Sequence, residues 1–464
     1  MDSRSQFRES VRHKVDRREA MRIGGLSSLG LSLPYLLQSQ TAQAGSGSAL
    51  GSAKSVILFW LSGGPPQHET WDPKPDAPAQ IRGEFSAIPS KTPGLFVGEL
   101  MPRTAQLTDR MAVLRAVVSH DNSHSSSGYQ MLTGVPHVPL SRENATAKAP
   151  NLYPSWGAIT RTLRPDRGGL PAAITLPKHI ANVGDIVWPG QDAGILGRQF
   201  DPWLMTCDPN DPKFSVPDIS LPAEIDTTRL KHRRALLNRI DAGRRYLEQQ
   251  ERVKRFSKQS LQAFDLLAGQ GARQAFALEQ ETAASRDRYG RTKFGQSVLL
   301  ARRLVEAGVS LVQVNWQQIE GKVNNGSWDV HKAYVPSCRD VLMPIMDQTF
   351  SALIEDLEDR GLLDETLVAW IGEFGHTPKI NRNAGRDHWG RCFSVALAGA
   401  GIRGGVVHGG SDQHASDPVW GQVAPRDIAA TVFHCLGFPP ETAMYDQSGR
   451  PMAISQGHVI EAIL

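Results

Sequence analysis

From Trp370 to Arg391 the chain reads WIGEFGHTPKINRNAGRDHWGR. An apolar run, Leu367 to Ile371, stops at a glycine, and Glu373, His376, Asp387 and His388 follow within sixteen residues. Carboxylate and imidazole are the side chains that ligate divalent cations and move protons near neutral pH. Three similar groups stand after other apolar runs. Ser62, His68, Glu69 and Asp72 follow SVILFW; His120, Asp121, Asn122, His124 and Ser125 to Ser127 follow MAVLRAVVS; Asp329 and His331 come after SLVQVNW. Asp329 and His331 are two apart, so in an extended segment they point to the same side. Imidazole with carboxylate suits zinc, manganese or iron, and carboxylate with Asn suits calcium or magnesium. An ion held there polarises an ester oxygen and lowers the pKa of a bound water. The plain structural reading is a polar surface loop, with Asp387 paired to Arg386 or Arg391 and Glu373 accepting N–H groups of its own turn. Four such groups at the same kind of position favour the chemical reading.

The elements that must position these residues follow from periodicity. Continuous apolar runs at Ser55–Trp60, Met111–Ser119, Ala172–Pro177, Ser310–Trp316, Leu367–Gly372 and from Phe393 predict buried strands. Helical periodicity separates them, with Gly308 ending one helix, a second running from Thr349 into Thr366, and a third at Ala424–Phe438 before Gly437 closes its last turn. Residues 181 to 225 read as loop, and about 227–307 as a highly charged helical segment whose simplest account is a solvated face. This alternation predicts an α/β fold: a three-layer α/β/α sandwich with a mainly parallel central sheet and a helical insertion. In such sheets, sites gather outside the carboxyl ends of the strands.

Composition bounds the rest. The 464 residues are 40% hydrophobic and 21% charged, with a net charge of +4 that falls largely in the first 44 residues. The nearly neutral remainder has no basic stripe, which argues against a nucleic-acid partner. Residues 1–44 read as an export signal: Arg17-Arg18, a weakly apolar stretch from Ile23 to Leu37, and Ala42-Gln43-Ala44 as a small-x-small cleavage site. Paired arginines predict passage through the twin-arginine export machinery to a periplasmic or secreted location, although Asp16 rather than Ser or Thr precedes the pair. Residues 45–54 form a linker, and 55–464 a single α/β domain. No other run reaches the ~18 apolar residues that a membrane span needs. Cys207, Cys338, Cys392 and Cys435 lie far apart with no metal-finger spacing, and read as scattered thiols.

Several stretches carry a family resemblance: GGPPQHETWDPKPDAP, HSSSGYQMLTG, YGRTKFGQSVLLARRLVEAGV, WDVH, GEFGHTP, GRDHWGRCFSVALAGAGIRGG and GRPMAI. Over residues 50 to 464 the chain resembles domain of unknown function family 1501, an exported branch that looks like the alkaline phosphatase and sulfatase superfamily. The resemblance implies an alkaline phosphatase-like sandwich whose metal-dependent site hydrolyses phosphate or sulfate esters of small molecules or glycans. It implies a divalent metal (zinc, calcium or manganese) held by Asp329, His331, Glu373 and His388. His124 stands at the superfamily's nucleophile position, ten residues before Gly134, and is expected as nucleophile or general acid/base, with Ser125 beside it. Backbone N–H groups from Ser125 to Gly128 are expected to hold the oxyanions. His68, Asp72, His376 and Asp387 are further candidates. The sequence departs from the superfamily where Ser62-Gly63-Gly64 replaces the Asp after the first strand, and where Phe374 replaces a ligand in Glu373-Phe374-Gly375. An exported, non-catalytic protein binding anionic glycans or a protein partner through the same cleft is the alternative.

Overall fold

Ser55–Trp60 (β1) buries all six side chains, as does Thr366–Ile371 (β6) beside it. A strand buried on both faces lies inside a sheet covered on both sides. In this computed structural model, which describes residues 50–216, 229, 232, 233, 235, 236 and 270–464, eight strands form that sheet. The others are Met111–Val117 (β2), Ala173–Leu176 (β3), Trp203–Leu204 (β4), Leu311–Asn315 (β5), Phe393–Gly399 (β7) and Val406–His408 (β8). Their order is β8-β2-β7-β6-β1-β5-β3-β4. Residues 1–44, read above as an export signal, and residues 237–269 of the charged segment lie outside the described residues; the described end of that segment is helical at Gln270–Phe276, Ala283–Arg288 and Lys293–Glu306.

Alternate residues of each strand face two separate cores. Ile57, Phe59, Val368 and Trp370 pack with the helices Lys293–Glu306 (α3) and Met343–Asp359 (α4). Val56, Leu58, Trp60, Leu367 and Ala369 pack on the other side with His124–Thr133 (α1), Trp156–Leu163 (α2) and Pro425–Cys435 (α5). The fold is thus α/β, with three layers. Gly308 and Gly437 sit just past α3 and α5 at φ +96 and +91, where a Cβ is disfavoured. All four cysteines are free thiols, three of them buried. The edge strand β4 and a short hairpin at Ala181–Val187 fall within the 181–225 stretch that the sequence reads as loop, because two-residue strands carry no periodicity.

The one strand that runs against the rest is β7, antiparallel to both β6 and β2. Seven carboxyl ends therefore share one edge of the sheet, and the residues just before β7 reach the same edge. That edge is tightly packed around the turn after β1. Gly63 has φ +108, and a Cβ there would sit 2.3 Å from the Asp329 backbone nitrogen. Gly63→Ala combines a left-handed backbone with a clash against main chain, and should destabilise the protein by about 2–4 kcal/mol. Urea unfolding measures this; a loss below about 0.5 kcal/mol, the scale of neutral surface changes, would show the turn to be loosely packed.

Candidate metal centre

The connections at this edge deliver the side chains of the site. His124 opens α1 after β2, Asp329 and His331 come from the loop after β5, Glu373 follows β6 by two residues, and His388 precedes β7. Three imidazoles converge on Asp329. His331 Nε2 lies 2.9 Å and His388 Nε2 3.0 Å from its Oδ1, and His124 Nε2 is 3.4 Å from its Oδ2. Each ring is fixed from behind by an oxygen that only accepts, so each Nδ1 is a donor: to Glu373 Oε1 from His124 at 2.9 Å, to the Asn122 carbonyl from His388 at 2.8 Å, and to Asp387 Oδ1 from His331 at 2.8 Å. That leaves three Nε2 atoms facing one carboxylate. Such a set is held together by protons or by a cation, and donors backed by outer oxygens are the usual arrangement around a metal. Among the described residues, the group whose ligand atoms all lie within 4.8 Å of one another is His124, Asp329 and His388.

The charges agree with the geometry. Burial works against the His124 imidazolium, yet its hydrogen bonds to Asp329 and Glu373 outweigh this and raise its pKa to about 10. The Asp329 hydrogen bond lifts His331 to about 9. Burial would push Asp329 up, but the bonds from the three imidazoles hold it well below the ordinary carboxylate range. The site thus favours positive charge strongly. A His₂Asp set with a third imidazole adjacent fits zinc best, and manganese or iron next.

Aromatic rings hold the imidazoles in place. Phe374 stacks on His388 with centroids 4.3 Å apart and lies 5.2 Å from His124, while Trp188 stacks on His124 at 5.7 Å. The loop before β7 is pinned by a buried ion pair. Arg386 bonds Glu69 Oε1 at 2.8 Å and the Ile81 and Thr377 carbonyls, and its own N–H meets the Val330 carbonyl. Asp387 therefore does not pair with Arg386, and Arg391 turns to Asp417 instead. Glu373 does accept a backbone N–H, but from Gly63 at 2.7 Å rather than from its own turn.

Other sequence candidates lie elsewhere. The Ser125 hydroxyl donates to the Arg142 carbonyl and accepts from Ala145 N–H, so it holds a loop rather than facing the cluster. The Ser127 N–H donates to the Ser123 carbonyl within the first helical turn, so it is not open to an oxyanion. His68 meets the His414 carbonyl, and Asp72 joins Ser411, Lys74 and Arg115. His376 is fully buried 6.4 Å behind His388, and burial keeps its pKa well below the usual value. Trp188, Lys178 and Lys293 line the cleft of about 870 Å³ in front of the cluster and were not singled out from sequence; a Trp inside the Gly- and Pro-rich VWPG turn is the one signal that pointed there.

The sequence matches the family described as "Protein of unknown function (DUF1501)" over residues 53–464. The chain belongs to this family. None of the curated proteins is significantly similar to this member of DUF1501 in sequence. Solved structures similar to it include the PsFucS1 sulfatase from Pseudoalteromonas sp., with TM-score 0.39 and 14% identity over 86% of this chain and 70% of that one. Ps i-CgsB in complex with k-i-k-neocarrahexaose gives TM-score 0.40 and 12% identity over 82% and 72%. The lipoteichoic acid synthase LtaP from Listeria monocytogenes gives 0.37 and 10% over 88% and 89%. At such distances the chemistry of this DUF1501 chain has to come from its own side chains.

Two outcomes follow from the site. In chelator-treated protein, imidazoliums bound more tightly in the folded state stabilise it fully below about pH 6.5, and this is lost as pH rises through about 9 and 10. The Asp329 contribution is present above its ordinary value of 3.8 and lost in acid. Thermal melts should peak in the mildly acidic range and decline toward pH 10, with a smaller alkaline decline in His331→Asn; a flat profile contradicts the cluster. Asp387→Asn removes the oxygen that orients His331, and should weaken metal affinity by about 10–100-fold in a competition titration with a chromogenic chelator.

Proposed function

We propose that this protein is an exported, metal-dependent hydrolase of sulfate or phosphate esters on small molecules or glycans. The observation that carries the reading is the convergence of His124, Asp329 and His388 at the mouth of an open polar cleft. These three residues would hold the ion, with His331 beside them. When bound, a divalent ion supplies a Lewis acid for the ester oxygens and a bound water of lowered pKa. The chain's own residues do the rest. Glu373 and the Asn122 carbonyl keep His124 and His388 presenting Nε2. His331, the most exposed of the three imidazoles and backed by Asp387, is placed to pass a proton to a leaving alcohol. Lys178 and Lys293 line the wall of the cleft and suit an anionic substrate.

Export is part of the proposal. The paired Arg17-Arg18, the stretch from Ile23 to Leu37 and the Ala42-Gln43-Ala44 site support a twin-arginine route to a periplasmic or secreted location. Among the described residues, no helix is long and apolar enough to cross a membrane.

Elemental analysis of the chain purified without chelator should show one metal per chain, lost in His124→Ala and His388→Ala. The same protein should release sulfate or phosphate from aryl esters, with turnover reduced at least ~10³-fold in both variants. Stoichiometric metal with binding of sulfated polysaccharide but no ester cleavage would replace this reading with a binding protein. Absence of metal from the wild type would remove both.

A further inference from the structure

We propose that Ser62 is the nucleophile of this site and Glu373 the base that activates it. The inference rests on the ester-hydrolase reading above and adds the residue that attacks. Ser62 follows β1 by two positions and lines the same cleft as His124, Asp329 and His388. Its Oγ is buried and has no hydrogen-bond partner among the described residues, and the same holds for Glu373 Oε2. A buried polar atom left unpaired costs about 1–3 kcal/mol, and such atoms in native structures call for an explanation such as a catalytic role.

The residues that carry these two atoms are linked through Gly63. The Gly63 N–H, one residue on from Ser62, donates to Glu373 Oε1 at 2.7 Å, and His124 Nδ1 donates to that same oxygen at 2.9 Å. Oε1 is thus occupied with holding the site, and Oε2 is open. The Ser62 backbone is fixed from its carboxyl side. A Cβ on Gly63 would meet the Asp329 nitrogen at 2.3 Å, and one on Gly64 would meet the Phe374 carbonyl oxygen at 2.4 Å. Its side chain has no hydrogen bond to break, so the hydroxyl is free to turn about χ1 between staggered wells. The three hydroxyls that follow His124 are committed: Ser125 to Arg142, Ser126 to Asp121, and Ser127 to the Glu373 carbonyl.

In the first half of the reaction, Ser62 Oγ attacks the phosphorus or sulfur of the ester while its proton passes to Glu373 Oε2. The bond from that atom to the alcohol oxygen breaks, and the alkoxide takes a proton from His331, the donor placed beside the cleft. In the second half, water adds its oxygen to the same atom and the bond to Ser62 breaks. Glu373 returns its proton to Ser62 Oγ, and the proton released by the attacking water balances the one taken by the alkoxide.

The test uses the full chain with a fluorophosphonate, an electrophile that labels activated serines whether or not an ester substrate is known. Peptide mapping by mass spectrometry should place one adduct per chain on Ser62, none in Ser62→Ala, and labelling slowed at least about tenfold in Glu373→Gln. Ser62→Ala should keep the wild-type metal content and melting temperature while ester turnover falls at least ~10³-fold. An adduct on another residue, or Ser62→Ala turnover within about threefold of wild type where removal of a nucleophile predicts orders of magnitude, overturns the proposal and leaves the hydrolase reading standing. Failure of that reading is a separate result, seen as a wild type without metal or turnover.

Discussion

One carboxylate facing three imidazoles is the constraint on which this architecture turns. Asp329 receives Nε2 from His124, His331 and His388, and every one of those rings has its other nitrogen tied to an outer oxygen. Three lone pairs around a carboxylate are tolerable only when positive charge sits among them. With protons in that role His124 and His331 are cations of raised pKa; with a metal ion the ligating imidazoles are neutral, and binding the ion releases protons. The fold must hold these groups together against a strong tendency to separate when neither is present.

It does so with the sheet and with one buried ion pair. Parallel strands send their carboxyl ends to a common edge, and β7 runs the other way so that His388 arrives from its amino end. Arg386 and Glu69, both essentially without solvent exposure, lock the intervening loop to the turn after β1. Burial pushes the Glu69 carboxyl up, against the pull of the guanidinium, which shows how much desolvation the pair has to offset. Removing one member of such a pair costs about 3–5 kcal/mol, so its place here is that of a rigid brace behind Asp387 and His388. Phe374 and Trp188 complete the scaffold by stacking on the imidazoles they flank.

Much of this was legible in the sequence, for physical reasons that differ from part to part. The central strands announce themselves because a strand buried on both faces is a continuous apolar run, as in SVILFW and TLVAWI. The arrival of Asp329, His331, Glu373 and His388 at one edge followed from their position after or between such runs. Direction was not legible: nothing in FSVALAG distinguishes an antiparallel from a parallel strand. Partner choice was not legible either. Asp387 has arginines on both sides in its stretch, yet binds His331, because Arg386 is drawn inward by Glu69, 317 positions away. Ser125 looked like chemistry by its place beside His124, but a helix turns adjacent residues about 100° apart, and its hydroxyl faces the 142–145 loop.

The central claim is that these side chains are gathered to hold an ion, and anomalous X-ray diffraction tests it most directly. Crystals of the protein supplied with zinc, measured on both sides of the zinc absorption edge, should show one strong peak within bonding distance, about 2.0–2.2 Å, of His124 Nε2, His388 Nε2 and an Asp329 oxygen. A peak elsewhere, or none at all with the three imidazoles still donating to Asp329, would mean that protons alone hold the cluster and that it is not a metal centre.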